Sequence, residues 1–236
     1  SPVRTGETNA KWLGEMQTRD ESTIGFGQKE IEAKELATYV EISNRLLQDA
    51  PQAETEVRTA LAEDFAKKEA TAFLYGDGVL EPEGLFTNAA ITTSLNGHAT
   101  NLGPDALIAM MYSLPAPYRN NGAWAMNGTT LGVMRTLKDG DGRFLWQPSY
   151  QVGQPETLLG RPVVEMVDLP DVEADAFPIV YGDFSGYRIV DRIGLSILVD
   201  PYSRATNGIT RIHATRRVGG AVIQPDKFRK LKMATS

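Results

Sequence analysis

Residues 73 to 86 read FLYGDGVLEPEGLF. An apolar, helix-like run stops at Gly76-Asp77-Gly78, an acidic loop with Pro82 follows, and Gly84-Leu85-Phe86 re-enters apolar sequence. The stretch admits three readings: a phosphate cradle, a metal loop, or a fixed corner between two structural units. A P-loop places its glycines after a strand and closes on Lys-Ser/Thr at a helix start, so that free amides face phosphate. Here the glycines follow a helix and no lysine comes after them. The pattern G-x-G-x-x-G fails too, because Gly76 and Gly78 are followed by Glu81. That order predicts a helix cap and a tight turn, with Gly76 and Gly78 supplying backbone freedom and Pro82 stiffening the exit.

Upstream lies the strongest helical signal of the chain, residues 51 to 75. Asp49 sits near the expected cap and Pro51 at the first helical position. Val57, Leu61 and Phe65 recur at four-residue spacing, and Ala66, Ala70, Phe73 and Leu74 continue a drifting stripe. Glu54 and Glu56 sit at the positive end of the helix dipole, with Lys67 and Lys68 nearer the negative end. Before this helix, residues 1 to 40 are polar and glycine-interrupted. Ile24 and Phe26, then Leu36, Thr38 and Val40, alternate as strands around the charged tip QTRDES at 17 to 22. So thin an apolar content predicts a hairpin that needs a neighbouring molecule.

Downstream, residues 103 to 114 read as a helix opened by Pro104, and 122 to 127 as a buried strand. Residues 128 to 139 read as a helix with Leu131, Met134 and Leu137 inward; RPVVEMV and FPIVYGDF read as strands. The span 100 to 190 is therefore a mixed unit of helices and strands in an α+β chain. Ile193, Leu195, Ile197 and Val199 share one face of a later strand. Residues 209 to 217 run back from it, with Asn207-Gly208 as the turn signal.

At 236 residues and 42% hydrophobic, the chain can bury a real core. No stretch approaches the roughly 20 apolar residues of a membrane span, and no charged-then-apolar leader is present, so secretion is not expected. Absence of cysteine excludes disulfides and thiol catalysis; His98 and His213 alone cannot build a three-histidine metal site. The net charge is −6, but Arg204, Arg211, Arg216, Arg217, Lys227, Arg229, Lys230 and Lys232 face only Asp226 after position 203. Eight minus one is +7, which leaves −13 on the first 203 residues. An acidic body with a basic end predicts charge pairing within or between subunits, ahead of nucleic-acid binding.

Other chemical motifs dissolve on inspection. KDGDGRF (138 to 144) carries Asp139 and Asp141 with Gly142, but an EF-hand needs a closing Glu where this chain has Tyr150. Asn127-Gly128-Thr129 has the letters of a glycosylation sequon; Asn127 or Thr129 is better read as a helix cap. Glu63, Asp64 and Glu69 come with no nucleophile or histidine and read as a solvated helix face. Arg211, His213, Thr215 and Arg217 alternate on one strand face, with Ile212 and Ala214 on the other. Without interleaved aromatics, single-strand nucleic-acid binding is disfavoured, and pairing with acidic groups is the preferred reading.

Taken in order, LLQDAP, the long helix, FLYGDG with PEGL, LKDGDGRFLWQP, GRPVVEM and the C-terminal hairpin resemble the major capsid proteins of tailed bacteriophages. These have the Hong Kong 97-type fold and include gene transfer agent capsids. The resemblance implies an extended loop at 1 to 35, and a peripheral domain at 36 to 76 and 191 to 217 with a spine helix and long hairpin. It implies an axial domain at 77 to 190 and 218 to 236. It further implies a non-catalytic shell protein without cofactor or metal, building hexamers and pentamers around double-stranded DNA held without sequence readout. Portal, scaffold, protease and decoration proteins are the implied partners, with no membrane. The implied location is the virion, assembled in the host cytoplasm; a chain beginning at Ser1 fits precursor cleavage. Arg19, Asp20, Glu21, Arg204, Arg211 and Arg217 are the expected inter-subunit contacts. The rivals are an encapsulin-type compartment with other cargo and an α/β enzyme with an acidic site.

Some members of that family join neighbours by a lysine–asparagine isopeptide bond assisted by a glutamate. The lysine position falls on Arg19, the glutamate position near Thr215, and the asparagine position on Gly208, beside Asn207. Arginine cannot supply the amine and threonine cannot replace the carboxylate. Intact particles should therefore run as monomers on a denaturing gel; a ladder of covalent multimers would refute this.

Overall fold

The computed structural model describes residues 2–4, 26–50, 52–138, 141, 143 and 157–235, with side chains described from residue 29 onward. Near the N-terminus β1 (Pro2–Arg4) and β2 (Phe26–Gln28) pair antiparallel. The expected hairpin tip at 17 to 22, Pro51 and most of the 138 to 144 loop lie outside the described residues. Next comes β3 (Lys34–Ser43), which contains Leu36, Thr38 and Val40. Its partner is not the N-terminal hairpin but a distant C-terminal strand, a pairing that alternation alone cannot specify.

Ser43 caps a short helix α1 (Asn44–Asp49) by accepting the Leu46 amide. Asp49 therefore ends one helix rather than capping the next. The long helix α2 (Ala53–Tyr75) has 23 residues, a rod of about 35 Å. Its buried positions are Leu61, Phe65, Glu69, Ala72 and Leu74, while Ala66 and Ala70 are exposed. The four-residue spacing thus runs through Glu69 rather than Ala66 and Ala70, and the stripe then drifts onto Ala72, Phe73 and Leu74 as its spacing predicts. Gly76 caps it, donating to the Ala72 carbonyl.

The remaining elements are β4 (Thr92–Leu95), α3 (Pro104–Tyr112), α4 (Ala116–Asn120), β5 (Ala123–Met126), α5 (Gly128–Arg135), β6 (Thr157–Leu158), β7 (Arg161–Glu165), β8 (Ile179–Gly182), β9 (Tyr187–Asp200), β10 (Ile209–Val222) and β11 (Phe228–Lys232). Pro104 opens α3 at its first turn, and Asn127 caps α5 by accepting the Thr130 amide at 2.7 Å. α5 stops at Arg135, four residues early, where the Thr136 hydroxyl bonds the Val133 carbonyl and the chain tightens into a turn.

Beside the two-stranded β1–β2 ribbon, two larger sheets organise the described residues. The antiparallel sheet β3-β10-β9 covers α2 with one face: Ile212 and Ala214 are fully buried against Leu61 and Phe65, with Leu195 and Ile197 beside them. Ile193 and Val199, on the same predicted stripe, stay 48% and 36% exposed; a register shift between β9 and β10 sets Ile193 opposite the exposed Arg217. The other sheet is mixed and six-stranded, ordered β4-β11-β8-β5-β7-β6. Its central strands are buried on both faces, as strands between two layers must be. Trp124, Met126, Ile179 and Tyr181 face α3 and α5, and Ala125 and Val180 face Leu74, Leu85 and Phe228. Each fully buried large apolar side chain contributes about 1.5–3 kcal/mol.

Glycine placement yields a contrast. A Cβ on Gly84 would lie 2.6 Å from the Gly76 nitrogen and 2.7 Å from the Leu74 oxygen, both backbone atoms. Gly84→Ala should cost about 1–3 kcal/mol or more, each kilocalorie lowering the melting temperature by roughly 2–4 °C. Gly132 sits in α5 with nothing within 4 Å of an added Cβ. Gly132→Ala should stabilise by about 0.5–1 kcal/mol. Thermal unfolding of both variants checks the pair.

Candidate inter-subunit surface

The corner at 76 to 86 is built by a short list of bonds. The Asp77 carboxylate accepts the amides of Val79, Leu80 and Glu81 at 2.8, 3.0 and 3.2 Å. Those backbone bonds, Val79's foremost, hold its pKa below the usual aspartate value. Gly78 turns at φ 76°, which favours glycine. Gly76 is needed for a different reason than backbone freedom: its φ is −57°, but a Cβ there would collide with the Pro82 carbonyl. The exit doubles back on α2, with Gly84, Leu85 and Phe86 amides donating to Gly76, Phe73 and Leu74 carbonyls.

Glu83 is the hub of this corner. Its amide donates to Gly220 on β10 at 2.9 Å, and its carbonyl accepts the Tyr187 hydroxyl at 2.7 Å. Its carboxylate takes Lys29 Nζ and Asn88 Nδ2, each at 2.6 Å, and Lys29 also donates to the Val222 carbonyl at 2.9 Å. The base of the N-terminal hairpin is thereby tied to the corner and to β10. Neither glycine of Gly219-Gly220 could carry a Cβ without striking Glu32 or Tyr187. Burial, with Glu83 nearby, drives the Tyr187 phenol well above its usual range. The sequence reading missed Glu83: its side chain bonds residues 54 and 5 positions away, and no local pattern reports that.

The outer face of the three-stranded sheet carries the predicted arginines. Arg211 stands opposite Glu41 across β10–β3 and opposite Asp200 across β10–β9. Glu41 pairs with Arg211 at 2.7 Å and with Arg204 at 3.4 Å, and its pKa is lowered, chiefly by the bond from Arg211. The Arg211 guanidinium also lies 5.0 Å over the Tyr39 ring, with His213 on that ring's other neighbour position. Arg217 lies six residues along the strand, roughly 20 Å away, without an ion-pair partner among the described residues. Arg204 and Arg211 are thus brought together and Arg217 is not; Arg19, Asp20 and Glu21 lie outside the described residues. Thr215 faces Ala37 and Ser196, and Gly208 forms the turn at φ 67°.

The basic end of the chain is largely consumed internally. Lys227 pairs with Asp183 at 3.0 Å and Lys232 with Asp175 at 3.3 Å, while Lys230 donates to the Phe86 carbonyl at 3.2 Å. Arg216 bridges Glu69 at 2.8 Å and Asp191 at 3.1 Å. Glu69 is 9% exposed, so it is not part of a solvated helix face. Among the described residues no cluster of three or more histidines or carboxylates is placed to hold a metal, and no helix is long and apolar enough to cross a membrane.

Comparison with known proteins agrees with this architecture. The Phage capsid family matches residues 1–233, and the chain belongs to that family. The major capsid protein of Enterobacteria phage HK97 is 28% identical over 158 residues, 66% of this chain and 40% of that protein, so the match spans less than half of the relative. The capsid of an empty GTA (gene transfer agent) particle, computed with C5 symmetry, superposes with a TM-score of 0.89 at 34% identity, over 99% of this chain and 84% of that one. A Gordonia phage Cozz chain shares the fold at TM-score 0.75 and 18% identity, over 100% of this chain and 81% of its own. The fold is the Hong Kong 97 type.

The buried charges make a stability prediction. Burial raises the Glu69 pKa despite the opposing pull of Arg216, and Asp191 raises it further. The native chain then holds this proton more tightly than the unfolded chain. Its favourable contribution is complete below the unfolded value of about 4.3 and is lost as pH rises through the folded one. Glu69→Gln should therefore melt at or above the parent temperature near pH 7, the difference closing at about pH 4. Arg216→Met leaves two carboxylates facing each other in a partly screened site and should lower the melting temperature near pH 7, recovering in acid. Melting curves across that range decide; a Glu69→Gln variant clearly weaker at neutral pH would reverse the assignment.

Proposed function

We propose that this member of the phage capsid family is the major subunit of an icosahedral shell, assembling as hexamers and pentamers around double-stranded DNA. The observation that carries the reading is the GTA capsid relative, alike over nearly the whole chain and computed with C5 symmetry. The role is structural and non-catalytic: a rigid α2 fixes the shape of the subunit, and repeated contacts between copies hold the shell. The paired strands β1 and β2 fit that scheme, since an isolated two-stranded ribbon is marginal in water and gains from a neighbour's surface.

In this reading residues 1 to 35 are the extended loop. Residues 36 to 76 and 191 to 217 form the peripheral domain, and 77 to 190 and 218 to 236 the axial domain. DNA is retained by confinement: Arg204 and Arg211 are engaged by Glu41 and offer no base-reading surface. The shell is held without covalent joints, resides in the virion or transfer particle, and forms in the host cytoplasm. Portal, scaffold, protease and decoration proteins complete the assembly.

Negative-stain microscopy of the purified protein tests the reading: uniform polygonal shells are expected, and dispersed monomers at assembly concentration would overturn it. Reversing both charges at the hairpin tip, Arg19→Glu with Asp20→Lys, should suppress shells while leaving the monomer's circular dichroism unchanged. Normal shells from that double variant would remove the tip from the contact.

A further inference from the structure

Two apolar features flank α2 without a partner in the described chain. The first is a groove of about 520 Å³ between the helix end, β9 and the turn after β7, walled by Phe73, Leu74, Leu85, Met166, Phe184 and Tyr187. Val167 and Ile189 stand on its rim, 85% and 55% exposed. The second is Val79-Leu80 at the corner, 68% and 81% exposed. These two side chains are not on a slack loop. Three amide bonds to Asp77 and a bridge from Asp77 to Glu83 hold them outward. A preformed apolar knob loses little conformational freedom on insertion, which is what a contact residue requires.

Their placement settles how they can meet. The groove takes Ala70, Phe73 and Leu74 from α2, whereas Leu80 shares a cleft with Lys68, Glu69 and Ala72. At about 100° per residue the two sets point to opposite sides of the helix. Knob and groove therefore cannot join within one chain, but they can join head to tail between copies. Head-to-tail contacts close into rings when the rotation permits. Charge favours the same match. Glu165 and Asp168 line the groove, and Lys68 lies beside Leu80; none of the three has an ion-pair partner among the described residues. Lys34 on that flank is already tied to Glu32, and Glu81 is exposed there, which leaves Lys68 as the available cation.

We propose that Val79-Leu80 of one subunit insert into the α2–β9 groove of a second copy, with Lys68 set against Glu165 and Asp168. The proposal rests on the assembly reading above and gives that contact a direction and named residues.

The chain has no cysteine, so an engineered pair is a clean reporter. Leu80→Cys and Val167→Cys are introduced together into the full chain, assembled, mildly oxidised and run on a non-reducing denaturing gel. A ladder of covalent multimers is expected from the double variant, and monomers from each single variant. If the parent chain forms no shells, the assembly reading falls and this proposal with it. Shells of the double variant that run only as monomers would overturn the proposal alone and assign the groove to another occupant. A second arm reads the same contact without oxidation. Leu80→Asp, at an exposed position, should abolish shells with unchanged circular dichroism, and Lys68→Glu should weaken assembly until Glu165→Lys and Asp168→Lys are added. Full assembly by Leu80→Asp would likewise overturn it.

Discussion

Everything distinctive in this subunit passes through one crowded crossing, where Glu83 meets Gly219 and Gly220 of β10. Four segments converge there: the base of the N-terminal hairpin through Lys29, the corner after α2, the start of β9 through Tyr187, and β10 itself. Side chains at 219 or 220 would push those segments apart. The two sheets face different cores, and Leu74, Leu85 and Val222 carry apolar packing from one toward the other at this place. In the shell proposed above, each subunit transmits load between neighbours. Concentrating the connection in short, charge-assisted bonds makes the corner stiff where a bare loop would bend.

The charge distribution has a simple consequence. The basic end of the chain does not form a free cationic patch, because Glu41, Glu69, Asp175, Asp183 and Asp191 each take a lysine or arginine. Most of these pairs join residues more than a hundred positions apart, or cross between strands, so they close the fold on itself. Exposed pairs such as Arg211–Glu41 contribute little stability, because solvent screens them, and serve mainly to remove binding potential from the face. Glu69 is the exception. It interrupts the apolar stripe of α2, where burial disfavours its charge, and it fixes which turn of the helix sits under the register slip of β10 near Arg216 and Arg217.

Legibility followed the range of the cause. The α2 stripe at Val57, Leu61 and Phe65, the Asn127 cap, the Pro104 start of α3 and the Asn207-Gly208 turn were readable because each depends on residues within a few positions. The boundary of α5 and the role of Asp49 were misread for the same reason in reverse: a local signal was present, but a hydroxyl bond and a separate short helix ended the competition differently. The alternation at Leu36, Thr38 and Val40 announced a strand without announcing its partner, since period two is the same for every partner.

From its residues alone this chain determined a long helix ending at a glycine corner, an α+β chain, and a charge imbalance that demanded pairing. Those follow from spacing, turn chemistry and counting, which are properties of neighbours along the chain. Only the tertiary structure decided which acids the arginines meet, why Gly76 and Gly84 tolerate no side chain, and that Glu83 holds the corner together. It also decided that Leu80 and the groove lie on opposite sides of α2. These outcomes depend on which atoms the folded chain brings into contact, inside the corner for Gly76 and Gly84 and across 104 and 170 positions for Tyr187 with Glu83 and Arg211 with Glu41, and sequence spacing reports neither.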